Sequence, residues 1–587
     1  MKFFELEFNS ESIINFLCTQ RVSLARTRSQ KHVLHLVTKS QRFNYHVNDE
    51  KYGDEFEKKF NSQLSELLPP RKRWVSIGEK SRKYKSNHSP IPSNKKNLIS
   101  LKRTINRDII KNPELPYLIK LDAFIQKIRN RILNPNFKIN RPKIYPKPKN
   151  TIKPNSENKC RPISLFPLED RLILSITNRY LTKAFDKHFE DSSYAFRSKK
   201  STFTKSILSH HDCISSIQKF QIKNSYKKLW VTECDMQKFF DAVNHNVVID
   251  LLNKLIEKNL IENSAWDFSI PKKIFIEYLN CYSFNHTVLP YNSDQQYWKE
   301  YNIPNGKFGW IKKELNNLYP DFKKQKIGIP QGGALSGLIA NIVLDVADKL
   351  LLNNDVFYVR FCDDMLIISP NFRKCRKAKY TYLRALKKLK LVPHNFDKDY
   401  VATKPHITKM PNKKQFWKSK SKGPYLWDNK KYGGLKWISF VGYEISTKGY
   451  IRVRKKSFLK ELKKQNELEK RYIVAIQKDR RKSPGSITQS LIHKLIGMSV
   501  GRISISNFST AQNDLCWKNG FRNVNNNPYL TKQVQKLDRN RNRIIHRFKH
   551  IVKEIAIGDD KIISKQRQIV KYNKPFSYYY HLFERIE

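Results

Sequence analysis

Two apolar runs on either side of a short polar pair, over residues 357–370, predict a β-hairpin with two aspartates at its tip. Aromatic and β-branched residues, which favour strands, occupy both sides of the tip, in 357–361 and 365–368. Asp363 and Asp364 lie between these two runs. Carboxylates held at a rigid turn above a sheet suit a hard cation such as Mg²⁺. Taken alone, such a pair is most often a plain surface turn, because Asp favours turns.

A second apolar run, residues 229–234, predicts a strand that ends at Asp235. Helical periodicity follows over 247–256. A carboxylate at the end of a core strand is the type of partner that the aspartate pair needs to form a metal site. We interpret Asp241 and His245, in the intervening turn, as residues that cap and orient the helix.

Apolar residues at helical spacing predict several amphipathic helices. They cover residues 118–133, a segment opening near Glu169 and Asp170, a segment following the Gly-rich turn 328–333, a basic segment 376–391, and a long C-terminal segment 532–557. Alternation predicts a second hairpin over 439–453. Segments 259–325 and 403–436 show little periodicity and are interpreted as insertions, while 71–97 is typical of a solvated or nucleic-acid-ordered arm.

The charge of the chain indicates a polyanionic partner. The 587 residues include 113 Lys and Arg against 52 Asp and Glu, a formal net charge of +61. Nucleic acid is the first partner to consider and an anionic membrane the second. The abundant Tyr and Phe favour nucleic acid, because bases stack on aromatic rings.

Cysteine usage and hydropathy bear on three questions: a zinc site, a membrane span and the cellular compartment. The eight cysteines form no CxxC pair and have no zinc-like spacing with His, so a zinc site is not expected. No apolar run approaches the roughly 18 residues that a membrane span needs, and the N-terminus lacks a signal-peptide pattern. We therefore expect no membrane association and a reducing, cytoplasmic location.

Six motifs in fixed order bring these observations together. They are KCRPIS (159–164), SYAFRSKKS (193–201), DMQKFFDAVNH (235–245), GIPQGGALSGLIANIVL (328–344), YVRFCDDMLII (358–368) and SFVGYEI (439–445). With these motifs the chain closely resembles the reverse transcriptases, particularly the bacterial group II intron-like lineage. The resemblance covers roughly residues 100–455.

The resemblance implies an α+β, right-hand polymerase fold with fingers, palm and thumb. The palm would contain an antiparallel sheet, and the thumb and a C-terminal extension would be helical. We expect a basic N-terminal extension at 1–100, fingers with the start of the palm at 101–234, palm with the two insertions at 235–455, and helical thumb and extension at 456–587.

The resemblance also implies a metal centre. Asp235, Asp363 and Asp364 match the family's catalytic, metal-binding carboxylates, and Met236 matches a position whose backbone carbonyl helps to hold a metal. The expected cofactor is a pair of Mg²⁺ ions, about 3.5–4 Å apart, with Mn²⁺ as a substitute.

The remaining matched positions would bind the nucleotide. Lys147 and Arg161 match the residues that hold the triphosphate, Lys398 matches a late-palm lysine that assists the leaving group, and Gln331 and Gly332 match a turn beside nucleotide and template. Phe240 matches the aromatic steric gate that excludes the 2′-hydroxyl and so favours dNTPs. Residues 440–443 resemble the primer grip.

Two positions depart from the family pattern. The usual Tyr-Ala before the aspartates is Phe361-Cys362, and a proline usual after Leu-Ser is Gly337. The expected function is RNA-templated DNA synthesis from dNTPs, in bacterial antiviral defence, with a dedicated non-coding RNA as partner and a homo-oligomer or partner protein left open. The alternatives are an intron-encoded reverse transcriptase and maturase, and a non-catalytic RNA-binding protein. Tyr578, Tyr579 and Tyr580 are either protein-priming hydroxyls or packing residues.

Overall fold

The computed structural model describes residues 3–38, 55–77, 93–201, 207–263, 265–352, 355–396, 416, 418–428, 434–478, 487–488, 491–492, 494–495, 498, 523–524 and 527–557. The strands are β1 (Lys143–Pro148), β2 (Asn158–Leu165), β3 (Leu229–Cys234), β4 (Gly306–Phe308), β5 (Phe357–Phe361), β6 (Asp364–Ser369), β7 (Lys422–Trp427), β8 (Trp437–Phe440), β9 (Tyr443–Ser446) and β10 (Ile451–Val453). The helices are α1 (Ser10–Thr38), α2 (Glu55–Leu67), α3 (Ser93–Lys111), α4 (Pro116–Leu133), α5 (Leu168–Phe185), α6 (His210–Lys223), α7 (Phe239–Ala242), α8 (His245–Glu262), α9 (Ser269–Asn280), α10 (Gln295–Glu300), α11 (Lys312–Asn316), α12 (Ser336–Leu352), α13 (Phe372–Lys388), α14 (Lys455–Lys478) and α15 (Pro528–Ile557).

The chain folds into two compact units. The first comprises residues 1–16, 55–67 and 114–437, and the second comprises 17–54, 68–113 and 438–587. The mixture of helices with antiparallel sheet confirms the α+β class. The assignment of segments ending at residues 100, 234 and 455 to fingers, palm and thumb stays a prediction.

A four-stranded antiparallel sheet forms the core of the first unit. Its strand order is β5-β6-β3-β7. The central strands read as nearly continuous apolar runs because both faces of the sheet are covered, one of them by α13. The predicted hairpin over 357–370 is confirmed as β5 and β6. The edge strand β7 comes from the segment 403–436, so that segment contributes to the core sheet.

A smaller sheet in the same unit has the order β1-β2-β4. β1 and β2 form an antiparallel hairpin in which every second residue is buried. β4 pairs with β2 in parallel and comes from the segment 259–325. That segment is therefore part of this sheet and also supplies α9, α10 and α11.

The predicted helices are confirmed as α4, α5, α12, α13 and α15, with bounds that differ by a few residues. In α13 the buried positions Cys375, Ala378, Tyr382, Ala385 and Leu386 follow the helical period, and basic residues occupy the other face.

The second unit contains the sheet β8-β9-β10, which confirms the second predicted hairpin, and the packed pair α14 and α15. One apolar cluster between these helices includes Tyr472, Ile476, Ile545 and Phe548. Among the described helices, none is both long enough and apolar enough to cross a membrane.

Candidate active site

Asp235 and Asp363 lie at the same end of the four-stranded sheet. β3 pairs with β6 so that Cys234 faces Met365. Asp235 therefore directly follows the last paired residue of β3. Asp364, whose side chain is exposed, directly precedes Met365, the residue of β6 that pairs with Cys234. Burial raises the pKa of Asp363 above its ordinary value, and the nearby Asp235 carboxylate raises it further. Two carboxylates from strands far apart in sequence thus share one site.

The turn that carries Asp363 is tight and strained. Phe361 pairs with Asp364, so Cys362 and Asp363 are the two residues of the turn. Cys362 has a φ of 60°. This left-handed conformation costs a non-glycine residue roughly 1–2 kcal/mol. A hydrogen bond from the Cys362 thiol to the Asp363 carboxylate opposes the rise in the pKa of Asp363.

Asp235 is surrounded by polar groups from two later segments. Its Oδ2 accepts a hydrogen bond from Lys420 Nζ at 2.8 Å, and its backbone N–H donates to Ser421 Oγ at 3.2 Å. His394 donates its backbone N–H to the Asp235 carbonyl, and its Nε2 lies 3.1 Å from Lys420 Nζ. Burial and the Lys420 charge lower the pKa of His394. Lys420 is thus the cation closest in space to this carboxylate among the described residues.

Several cations project from the β1–β2 hairpin, and three of them lie close together. Lys147 and Arg161 are directly opposite each other, and both side chains are exposed. Lys149 continues the ladder, because its N–H donates to the Lys159 carbonyl at 3.0 Å. Burial, then Lys238 and Arg161, lower the pKa of Lys149 to about 8. Repulsion among these side chains indicates a place where a polyanion would be stabilised.

The turn after β3 is fixed to the Gly-rich turn at 328–333. The Phe240 carbonyl accepts from Ile329 N–H at 2.7 Å, and Asp241 Oδ1 accepts from Gln331 Nε2 at 2.6 Å. Lys238, with a φ of 53°, places its Nζ 3.5 Å from Asp241 Oδ2. Asp241 is fully buried, and burial raises its pKa. The backbone of the half-buried Phe240 is therefore fixed to the Gly-rich turn.

Gln331 also reaches the hairpin sheet. Its carbonyl accepts from Ser164 N–H at 2.8 Å, which connects β2 to the Gly-rich turn. Gly332 has a φ of 95°, a conformation that L side chains rarely adopt. A Cβ at Gly333 would lie 1.9 Å from Tyr278 Oη. Both positions therefore need glycine for reasons within this chain. Gly332 adopts a positive φ, and Gly333 leaves room for Tyr278.

One known protein family matches the segment that contains these residues. Residues 146–398 match the model of the family described as reverse transcriptase (RNA-dependent DNA polymerase). These residues are a reverse transcriptase domain. The domain includes both carboxylate strands, the β1–β2 hairpin and the Gly-rich turn.

Two curated relatives match the domain. The Group II intron-encoded protein LtrA of Lactococcus lactis subsp. cremoris is 25% identical over 247 residues, which cover 42% of this chain and 32% of LtrA. Protein YkfC of Escherichia coli (strain K12) is 24% identical over 200 residues, covering 34% of this chain and 39% of YkfC. The chain thus spans about a third of the length of the curated relatives it matches, and the likeness supports a group II-like lineage for the reverse transcriptase domain.

Solved structures similar to the chain include apo telomerase from Candida Tropicalis, at 12% identity and a TM-score of 0.34, covering 93% of this chain and 87% of that one. Telomerase from Candida albicans in complex with a TWJ fragment of telomeric RNA is similar at 13% identity and a TM-score of 0.30, covering 88% and 84%. TM-scores in this range do not establish a shared fold.

The two converging carboxylates fit a divalent metal ion that takes its other ligands from outside the protein. Among the residues that the structure describes, no three His, Cys, Asp or Glu side chains are grouped closely enough to hold a metal. Asp235 and Asp363 nevertheless converge: burial raises the pKa of Asp363, and the nearby Asp235 carboxylate raises it further. Mg²⁺ is typically held by one or two carboxylates together with substrate phosphates and water. The two carboxylates therefore fit a divalent ion that completes its coordination with substrate and water.

Three residues near the site were not expected from the sequence. Lys149 lies two residues after Lys147 and therefore on the same strand face, so its position could have been predicted from the strand periodicity. Lys420 precedes β7 in a segment interpreted as an insertion, and His394 lies in a segment without a period. Lys398 falls outside the described residues, as do Tyr578, Tyr579 and Tyr580.

One departure from the family pattern has a packing explanation. A Cβ at Gly337 would lie 2.6 Å from the Phe196 ring, so a proline could not occupy this position without moving that ring. Residues 440–443 form the connection from β8 to β9, where Val441 and Gly442 have φ values of 33° and 88°. Their role as a primer grip stays a prediction, as does that of Met236, which is buried.

Proposed function

We propose that this protein synthesises DNA on an RNA template by two-metal nucleotidyl transfer. The observation that carries the proposal is the convergence of Asp235 and Asp363 at one end of an antiparallel sheet inside a reverse transcriptase domain. Intact carboxylates argue against the alternative of a non-catalytic RNA-binding protein on a polymerase scaffold.

In this proposal Asp235, Asp363 and the Met236 carbonyl hold the metal, and Asp364 adds negative charge beside it. When bound, two divalent ions would activate the primer 3′-hydroxyl and neutralise the leaving pyrophosphate. Lys420 lies 2.8 Å from Asp235 and so neutralises part of the carboxylate charge from the side of β7. Mg²⁺ is the proposed ion, with Mn²⁺ as a substitute.

The nucleotide would lie between the hairpin and the two connected turns. Lys147 and Arg161 would bind the triphosphate, since guanidinium offers a fork of donors to phosphate oxygens. Phe240 would contact the sugar and exclude a 2′-hydroxyl, so that dNTPs are used. Gln331 and Gly332 would contact nucleotide and template. Lys398 stays in the proposal as a residue that assists the leaving group.

The proposal is tested by incorporation of dNTPs on a primed RNA template with Mg²⁺. We expect the wild-type protein to extend the primer and the variants Asp235→Asn and Asp363→Asn to lose this activity. Asp122→Asn, an exposed carboxylate on α4, is the matched control and should retain it. Equal incorporation by wild type and both active-site variants would refute the catalytic assignment.

We further propose that the template is a dedicated non-coding RNA and that the DNA serves antiviral defence in the bacterial cytoplasm. The net charge of +61 supports a stably bound RNA. The seven described cysteines are unpaired thiols, which supports a reducing compartment. Sequencing of the nucleic acids that copurify with the protein tests this assignment; a heterogeneous RNA population without a recurring species would contradict it.

The alternative biological role is an intron-encoded reverse transcriptase and maturase. The observation that favours it is the likeness to a group II intron-encoded protein. Flanking intron sequence in the gene and splicing of that intron by the purified protein would decide for this role. Copurification of one RNA unrelated to an intron would decide against it.

A further inference from the structure

Arg360 is a fully buried cation two residues before the strained turn. It lies on β5, and its side chain has no exposed surface. Its charge is balanced by Asp348 of α12, equally buried, through Nη2 to Oδ2 at 2.6 Å and Nε to Oδ1 at 2.9 Å. The Tyr358 hydroxyl donates to the same carboxylate at 2.6 Å. The guanidinium plane is therefore fixed to α12 on the side of Nε and Nη2.

The remaining nitrogen of Arg360 contacts the turn itself. Nη1 donates to the Cys362 carbonyl at 2.9 Å and to Asn341 Oδ1 at 3.3 Å. The backbone of Arg360 is held as well, because its N–H donates to the Ser192 carbonyl and its carbonyl accepts from Tyr194 N–H. One rigid group thus connects α12, the 192–194 segment and the turn.

The contacted carbonyl belongs to the peptide that joins Cys362 to Asp363. A bond to this oxygen fixes the plane of that peptide and hence the direction in which the Asp363 side chain leaves the chain. Cys362 holds a φ of 60°, and such a conformation persists only where surrounding contacts determine it. Arg360 supplies the side-chain contact suited to that purpose.

We propose that Arg360 is a positioning residue for the metal-binding carboxylate Asp363, acting through the Cys362 carbonyl. This inference rests on the proposed function, since it presumes that Asp363 holds the metal. Asp348 and Asn341 act with Arg360 by fixing its planar group. A guanidinium suits the task because its fork serves a carboxylate and a carbonyl at once, which an ammonium cannot do with the same geometry.

The carbonyl contact can be removed without leaving an uncompensated buried charge. A buried ion pair replaced as a whole by uncharged residues of similar volume is often tolerated, whereas removal of one partner leaves an uncompensated charge. The double variant Arg360→Met/Asp348→Asn therefore removes both charges and the contact to Cys362 while the fold is retained. Its matched control is Arg131→Met/Asp170→Asn, a second Arg–Asp pair of the same unit, between α4 and α5.

The test measures metal binding independently of catalysis. Mn²⁺ binding to the full-length protein is followed by electron paramagnetic resonance, and the Mg²⁺ concentration for half-maximal DNA synthesis is measured in parallel. We expect the Arg360→Met/Asp348→Asn variant to melt cooperatively, to bind Mn²⁺ about tenfold more weakly or worse, and to require correspondingly more Mg²⁺. The KM for dNTP at saturating Mg²⁺ should be unchanged. The control pair should leave both metal dependences within about twofold of wild type.

A single variant covers the case in which the double variant does not fold. Arg360→Lys keeps a charge opposite Asp348 and should shift both metal dependences in the same direction by a smaller factor. A folded Arg360→Met/Asp348→Asn or, failing that, a folded Arg360→Lys with the metal dependence of wild type would overturn this inference alone. Wild-type protein that neither binds Mn²⁺ nor synthesises DNA would overturn the proposed function, and the inference with it.

Discussion

The carboxylate end of the four-stranded sheet and the basic face of the β1–β2 hairpin hold their charges in opposite ways. Behind Asp363 lies a buried ion pair, Arg360 with Asp348, and a turn with a positive φ. On the hairpin, Lys147 and Arg161 are exposed on regular strands. Buried charges fix geometry at a cost in desolvation, whereas exposed charges cost little and adapt to a ligand. The first region therefore suits a metal and the second suits a flexible triphosphate.

The largest expected difference between these regions is in stability. Arg360→Met should lower the free energy of unfolding by about 3–5 kcal/mol, because Asp348 would be left as an unpaired buried carboxylate. Arg161→Met should change it by no more than about 0.5 kcal/mol, because the side chain is exposed. Urea unfolding of the two variants measures both values. Equal destabilisation would contradict the division between a fixed and an adaptable region.

The second difference concerns catalysis, where the exposed residue should matter. Arg161→Met should raise the KM for dNTP by about tenfold to a hundredfold, because a charge-assisted hydrogen bond to phosphate contributes about 1.5–3 kcal/mol. Steady-state extension at varied dNTP measures the change, and Lys153→Met, an exposed cation in the loop between β1 and β2, serves as the control. An unchanged KM would remove Arg161 from the triphosphate site.

Phe240 lies in the turn after β3, whose bonded partner, the Gly-rich turn, also bonds β2, and in the proposed site it should set sugar selection. Phe240→Ala should reduce the preference for dNTP over rNTP by about tenfold or more, since steric exclusion of one hydroxyl is worth on the order of 1–3 kcal/mol. Competing incorporation of dATP and ATP measures the ratio. Phe239→Leu, a change in the buried neighbour of Phe240, should leave the ratio intact. A ratio that Phe240→Ala does not alter would show that another group discriminates the sugar.

The smallest expected effect is the pH dependence that His245 gives to stability. Its Nε2 lies 2.7 Å from the Gly328 carbonyl, and its Nδ1 is buried without a hydrogen-bond partner. Burial lowers the pKa of His245 from 6.5 to about 4. The unfolded chain therefore binds a proton below about pH 6.5 that the folded chain refuses, and stability falls as pH falls.

Between about pH 7 and about pH 5.5 this group should cost roughly 1 kcal/mol of unfolding free energy. His245→Gln, which cannot titrate, should lose that much less over the same interval, as measured by urea unfolding at both pH values. Identical pH slopes for the two proteins would show that His245 is not held neutral.

The sequence was sufficient for the elements whose pattern has a clear period. The hairpin with Asp363 and the strand before Asp235 follow from short apolar runs, the amphipathic helices follow from helical spacing, and all are present. These patterns succeed because burial of one face or of both faces of an element imposes a regular spacing.

The contacts around the carboxylates could not be predicted, because they join residues far apart in sequence. Lys420 reaches Asp235 only because β7 pairs with β3, and β7 has no strong alternation. Arg360 would be expected at the surface from its charge, and its burial depends on Asp348 from a different element. The positive φ of Cys362 could not be predicted from the sequence, since cysteine is not a residue that favours positive φ.

The most direct test of the account is single-turnover addition of one dNTP to a primer annealed to RNA, with saturating Mg²⁺. We predict that Asp363→Asn reduces the rate by about a thousandfold or more, since an interaction worth about 4 kcal/mol in the transition state is lost. Asp122→Asn should react at the wild-type rate. An Asp363→Asn protein that adds the nucleotide as fast as wild type would contradict the assignment of this carboxylate to the catalytic centre.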